Sequence, residues 1–177
     1  MVELILGGAR SGKSMLAEQR AQGSQLAVTY IATAQALDEE MARRIAHHQA
    51  RRPEGWTLLE EPLHLARTLT QHAARDRCLL VDCLTLWLSN VLFAAESPPA
   101  GNTLAQETTA LLDVLPNLPG RVILVSNEVG LGIIPLGEIT RQFVDEAGRL
   151  DQRVAAIADR VTFVAAGLPL ELKSPTA

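Results

Sequence analysis

Cysteine occurs only twice in the 177 residues, at Cys78 and Cys83, with no C-x-x-C pair and no histidine at metal-ligand spacing. That excludes a disulfide framework and a cysteine-based metal site, and both residues read as buried free thiols of a reducing compartment. An excess of basic charge is also missing. The 16 Lys and Arg stand against 20 Asp and Glu, a net charge of −4, so no global positive field draws nucleic acid. There are no internal repeats and no low-complexity segments. The greasiest window, residues 78–95 (CLLVDCLTLWLSNVLFAA), holds Asp82 and the polar pair Ser89-Asn90, so it reads as a buried strand and helix rather than a membrane span. A signal peptide is not expected, because the first apolar run reads as a strand entering a Gly-rich loop. A soluble, cytoplasmic protein is the expectation. What remains is ordinary globular composition, 47% hydrophobic and 20% charged. The length suits a single domain over residues 1–177, with a frayed tail from about 174.

The stretch around which the chain is organised is residues 4–14, LILGGARSGKS. Gly7, four residues, then Gly12-Lys13-Ser14 satisfies the phosphate-binding loop pattern G-x-x-x-x-G-K-[ST]. The apolar run 2–6 before it suits a buried parallel strand, and residues 15–20 after it suit a helix. That context matters, because a helix N-terminus presents free N–H groups and a positive dipole end to an anion. Gly7, Gly8 and Gly12 let the backbone curl closely around phosphate oxygens, with Ala9, Arg10 and Ser11 completing the loop. Lys13 is expected to bridge the terminal phosphates as a catalytic cation, and the Ser14 hydroxyl to ligate Mg²⁺. A nucleoside triphosphate is the ligand this pattern predicts.

Downstream, strands alternate with helices. Strands are expected over 26–33, 56–60, 77–82, 121–126 and 161–165, and residues 168–173 are expected to pair at an edge, antiparallel to a neighbour. Helices are expected over 38–51, 62–75, the run after Asp82 to about 95, 103–115 and 138–160. Loops fall at 96–102, at 116–120 and over the Gly-rich 127–137. The pattern predicts an α/β fold of the P-loop NTPase kind, a three-layer α/β/α arrangement with a mostly parallel central sheet. Ligands in such sheets bind beyond the carboxyl ends of the strands.

Asp82 ends the hydrophobic run CLLVD, where a carboxylate can face the phosphate loop and hold Mg²⁺. It can equally cap the helix that follows, and the two roles are compatible. On the expected helix 38–51, neighbours lie three and four residues apart. Met41, Ile45 and His48 share one face; Arg43, Arg44, His47 and Arg51 share another. His48 therefore reads as a packed side chain. His47 stands among three guanidiniums, which suit a polyphosphate and keep the imidazole neutral and nucleophilic. By itself this face also fits a merely solvated basic surface.

Residues 7–14 (GGARSGKS), 30–53 (YIATAQALDEEMARRIAHHQARRP), 126–135 (SNEVGLGIIP) and 141–153 (RQFVDEAGRLDQR) together resemble one family. It is the bifunctional adenosylcobinamide kinase/adenosylcobinamide-phosphate guanylyltransferase of cobalamin assembly, and the likeness spans nearly the whole chain. The resemblance implies phosphorylation of adenosylcobinamide by ATP or GTP. A second step then transfers GMP from GTP to adenosylcobinamide phosphate, with release of pyrophosphate. It implies that the guanylyl group rests on His47 between steps, the residue that the arginine-rich face singles out. It further implies nucleotide contacts from Ala32, Thr33 and Ala34, from His48, Gln49, Ala50 and Arg51, and from Glu60 and Asp82. A homotrimer is implied as well, with the apolar helix 84–93 as a contact surface.

Two positions depart from the family pattern: Asp82 stands where Glu is frequent, and Asp151 stands where Asn is expected, adding a charge within a helix. Residues 127–130 follow a strand end and either shape the corrinoid or nucleotide pocket or serve as a connecting turn. His64 and His72 read as surface residues, and Trp56 and Trp87 as core or interface residues. Two other readings compete. A P-loop kinase of another small hydroxylated metabolite would form no covalent nucleotide on the protein. A nucleotide-gated regulator would show no acceptor-dependent turnover, and the absence of an N-K-x-D base-recognition motif argues against it.

Overall fold

The computed structural model describes residues 1–35, 39, 43, 53, 55–94 and 103–174. Seven strands form one sheet: β1 (Val2–Gly7), β2 (Ala27–Ala32), β3 (Thr57–Glu60), β4 (Arg77–Asp82), β5 (Arg121–Asn127), β6 (Arg160–Ala165) and β7 (Leu168–Lys173). Their spatial order is β3-β2-β4-β5-β1-β6-β7, and every pair is parallel except the antiparallel β6–β7 hairpin. The four central strands are rich in Val, Ile and Leu and buried on both faces, as parallel strands between helical layers must be. The outer strands behave differently: β3 has only four residues, and β7 is exposed throughout and carries Pro169, Glu171 and Lys173. Shortness, charge and proline are what keep a free edge from pairing with another chain.

Five helices are described: α1 (Lys13–Gln22), α2 (Leu65–His72), α3 (Leu84–Ala94), α4 (Leu104–Val114) and α5 (Glu138–Ile157). On one face Ala17 and Ala21 of α1 pack on Ile5, Tyr30, Leu80, Ile123 and Val125. On the other, α2 to α5 cover Leu4, Leu79, Val81, Val122 and Leu124 with a core that includes Leu69, Trp87, Leu88, Leu111 and Val154. The three-layer arrangement is the expected one.

Local signals explain the element ends. Thr103 and Gln106 form a reciprocal capping box at the start of α4. α2 begins at Leu65 rather than at Pro62, because the Glu61 carboxylate accepts from the N–H groups of Leu63 and His64 and holds them in a turn. α5 stops at Ile157 rather than near 160, because Ala158 turns extended to enter β6. The α3 helix does not offer the apolar contact surface expected of it. Leu84, Trp87, Leu88, Val91 and Leu92 are buried within the chain, leaving Phe93 as the large apolar residue exposed, at 51%. Exposed apolar side chains lie instead along β7, at Leu168, Leu170 and Leu172, and above all in the segment after β5, where Leu131, Ile133, Ile134 and Leu136 are between 78% and 98% exposed.

At the end of the sheet away from the phosphate loop, the fully buried Glu3 is paired by Arg20 of α1 and Arg121 of β5. Arg20 also reaches Glu171 at 2.8 Å, tying the first helix and the last strand to the centre of the sheet.

Candidate active site

The parallel register sets the frame of the site. Gly7 lies beside Asn127, and Ala32 beside both Asp82 and Glu60, so these five strand ends open onto one rim. β5 sits between the strand that feeds the phosphate loop and the strand that ends at Asp82.

The loop itself is tightly determined. Gly12 has φ +98°, a conformation that only glycine adopts without strain, and a Cβ there would lie 3.2 Å from Gly167 Cα. A Cβ at Gly7 would meet the Val164 carbonyl and Ser11 Oγ at 2.5 Å each. The turn of the β6–β7 hairpin braces the loop, since Gly167 N–H donates to the Ser11 carbonyl at 2.8 Å. Lys13 opens α1 and is buried, its Nζ donating to the Gly8 carbonyl at 3.1 Å. Burial lowers the affinity of Lys13 for its proton, and the facing Asp82 charge works against that loss. Lys13 and Asp82 thus influence each other electrostatically without a described ion pair, and Ser14 is half-buried on the first turn of α1.

Asp82 is held by a neighbour that the sequence did not single out: buried Tyr30 donates its hydroxyl to Asp82 Oδ2 at 3.0 Å. The following Cys83 is fully buried, and burial beside Asp82 pushes its thiol up to about 11, so it stays protonated and unreactive. Cys78 is raised by burial too, and both thiols are free. Thr33 is buried, its hydroxyl donating to the Cys83 carbonyl at 2.7 Å and accepting from the Cys83 N–H at 2.8 Å. Asn90 donates to the Thr33 carbonyl at 2.7 Å. Together these bonds fasten the end of β2 to the turn after β4. Ala34 is half-buried beside them, and Glu60 is exposed at the end of β3.

The residues expected to carry guanylyl transfer (His47, His48, Gln49, Ala50, Arg51) and Arg44 lie outside the described residues. The expected loop 96–102 and the tail from 175 do so too. Arg43 is described: it is exposed, helical, and 3.7 Å from Glu39. His64 is a half-exposed surface residue bonded to the buried Glu107 at 3.0 Å, and Trp87 is core.

The segment 127–130 is more than a connecting turn. Glu128 N–H donates to the Gly7 carbonyl at 3.1 Å, latching it to the start of the phosphate loop. The Asn127 side chain donates to Thr85 Oγ1 at 3.1 Å. Behind it, Asp151 of α5 is only 8% exposed, accepts a hydrogen bond from Ser126, and leaves Oδ1 without a partner. Burial, aided by the Glu128 charge, pushes its carboxyl up to about 7. The expected fixed charge in a helix is therefore a buried acid that is only partly ionised at neutrality. Its position was legible in principle: 147, 150, 151 and 154 are spaced as one buried helical stripe.

The protein donors available to a metal here are the Asp82 carboxylate and the Ser14 hydroxyl. No cluster of three or more His, Cys, Asp or Glu exists among the described residues. Two hard oxygen donors facing a phosphate loop fit Mg²⁺, which binds by one or two protein ligands plus phosphates and water.

Comparison with known proteins agrees with this geometry. The solved structures similar in fold include the type III secretion ATPase EscN from enteropathogenic E. coli, with a TM-score of 0.59 at 15% identity over 92% of this chain and 41% of that one. Another is a prototypical type III secretion ATPase of pathogenic bacteria, with a TM-score of 0.58 at 15% identity, covering 96% of this chain and 57% of that one. These establish a P-loop NTPase fold and no more. In sequence, the bifunctional adenosylcobalamin biosynthesis protein CobP of Pseudomonas aeruginosa is 61% identical over 173 residues, 98% of each chain. CobU of Salmonella typhimurium is 41% identical over 98% of this chain and all of its own. The family described as cobinamide kinase / cobinamide phosphate guanyltransferase matches residues 3–172. Matched over residues 3–172 by the family's description and over 98% of its length by these relatives, this chain belongs to the cobinamide kinase / cobinamide phosphate guanyltransferase family.

Proposed function

We propose that this chain carries out both steps named in the family's description at one phosphate site. In the first, the γ-phosphoryl group of ATP or GTP passes to the hydroxyl of adenosylcobinamide. In the second, a neutral His47 ring nitrogen attacks the α-phosphorus of GTP and pyrophosphate leaves. A phosphate oxygen of adenosylcobinamide phosphate then attacks the guanylylated histidine, giving adenosylcobinamide-GDP and free His47. The observation that carries this reading is the family match over residues 3–172, with a phosphate loop whose Lys13 feels the Asp82 charge.

Residue roles follow from the chemistry. The backbone of residues 7–14 cradles the triphosphate, and Lys13 offsets charge developing on it. Ser14 and Asp82 would hold Mg²⁺, which when bound neutralises phosphate charge. Ala32, Thr33 and Ala34, with Glu60, would border the nucleotide; the fixed backbone at Thr33 supports a framing role there. His48, Gln49, Ala50 and Arg51 would contact GTP beside the nucleophile. A cytoplasmic homotrimer is part of the proposal, and the exposed Leu131, Ile133, Ile134 and Leu136 are apolar surface that a second copy would cover.

The test is product analysis by mass spectrometry with adenosylcobinamide, ATP, GTP and Mg²⁺. Sequential appearance of adenosylcobinamide phosphate and adenosylcobinamide-GDP is expected. Turnover of neither corrinoid would refute the assignment.

A further inference from the structure

The two reactions differ in one chemical demand. An alcohol that attacks phosphorus must lose its proton, whereas a phosphate monoester, with a second pKa near 6, is already an ionised nucleophile at neutrality. The phosphorylation step therefore calls for a proton acceptor that the guanylyl transfer does not need. Asp82 is poorly free for that task, with Oδ2 bonded to Tyr30 and its charge stabilising the Lys13 ammonium.

Glu128 has the required placement. It is the first residue beyond β5, the strand between the phosphate-loop strand and the Asp82 strand. Its N–H is fixed to the Gly7 carbonyl at 3.1 Å. Its carboxylate is oriented by Gly130 N–H, which donates to Oε1 at 2.6 Å, leaving Oε2 open to a proton. Lys13 donates to the Gly8 carbonyl, Arg149 to Glu146, and Arg141 to the carbonyls of Pro135 and Leu136. Beside Glu128 lies the buried Asp151, with its unpartnered Oδ1. This corner thus holds two carboxyl groups and no described cation bonded to either.

We propose that Glu128 is the catalytic proton acceptor of the phosphoryl-transfer half, an inference that rests on the bifunctional reading above. As the substrate oxygen bonds to the γ-phosphorus, the bond from that phosphorus to the β–γ bridging oxygen breaks. Its electron pair leaves with the nucleoside diphosphate, and the hydroxyl proton passes to Glu128 Oε2. The proton returns to water once the product departs.

The test measures each half separately in the intact chain. One assay supplies adenosylcobinamide with ATP; the other supplies adenosylcobinamide phosphate with GTP. Glu128→Gln should lower kcat of phosphorylation about 100-fold or more, with KM changed less than about threefold. Guanylyl transfer should stay within about threefold of wild type, which also reports that the variant is folded. Glu128→Asp should recover part of the phosphorylation rate. A Glu128→Gln phosphorylation rate within threefold of wild type, or an equal fall in both halves, would overturn the role of Glu128. A wild type that phosphorylates no adenosylcobinamide would instead refute the functional assignment, and the inference with it.

Discussion

Replacing Asp151 by asparagine should stabilise the folded chain at alkaline pH and much less so in acid. In the unfolded chain this carboxyl releases its proton at its ordinary value of 3.8, and in the folded chain at about 7. Between those values the folded state binds the extra proton, so stability falls as pH rises and the full cost is present above pH 7. About three units at roughly 1.4 kcal/mol each give a cost of about 4 kcal/mol, of which roughly a third is already present at pH 5. Asparagine keeps the shape and a bond to Ser126 without the charge. Relative to wild type, its gain should grow by about 2–3 kcal/mol between pH 5 and pH 8.5. For a chain of this size that is roughly 5–10 °C in Tm. Thermal unfolding of both proteins without nucleotide, at five pH values over this range, measures it directly. A Tm difference that does not change with pH would refute the view of Asp151 as a buried, partly neutral acid.

Other perturbations follow from the same geometry. Gly7→Ala forces a Cβ against the Val164 carbonyl, a backbone atom that cannot swing aside. It should cost about 1–3 kcal/mol and abolish nucleotide binding, by thermal unfolding and calorimetry. Tyr30→Phe removes the hydroxyl that steadies Asp82. It should raise the Mg²⁺ concentration needed for tight nucleotide binding about tenfold while leaving Tm nearly unchanged. Glu3→Ala leaves Arg20 and Arg121 partly buried without their shared carboxylate. A loss of about 3 kcal/mol is expected in denaturant unfolding.

The sheet was readable from the sequence because its central strands are short, predominantly apolar runs bounded by Gly, Pro and acidic residues. Gly7 to Ser14 was readable because backbone curvature and phosphate charge admit few residue types. The start of α2 was not, since Pro62 is a good first helical residue and only the Glu61 side chain, folded over Leu63 and His64, displaces the start to Leu65. The bond from Tyr30 to Asp82 spans 52 residues, and no local pattern announces it. Asp151 stands out as a departure from the family pattern, but its burial is visible only in the stripe it forms with Ala147, Leu150 and Val154. The apolar run of α3 read correctly as a buried helix, and it is the contact surface implied by the family resemblance that its burial against the sheet leaves no room for.

The central claim, that one chain transfers a guanylyl group through His47, is tested most directly by covalent labelling. The protein is incubated with GTP labelled at the α-phosphate and Mg²⁺, denatured, and assayed for acid-labile label, alongside His47→Ala. The account predicts label on the wild type, none on the variant, and release of label by added adenosylcobinamide phosphate. A wild type that stays unlabelled while phosphorylating adenosylcobinamide would contradict it, leaving a kinase alone.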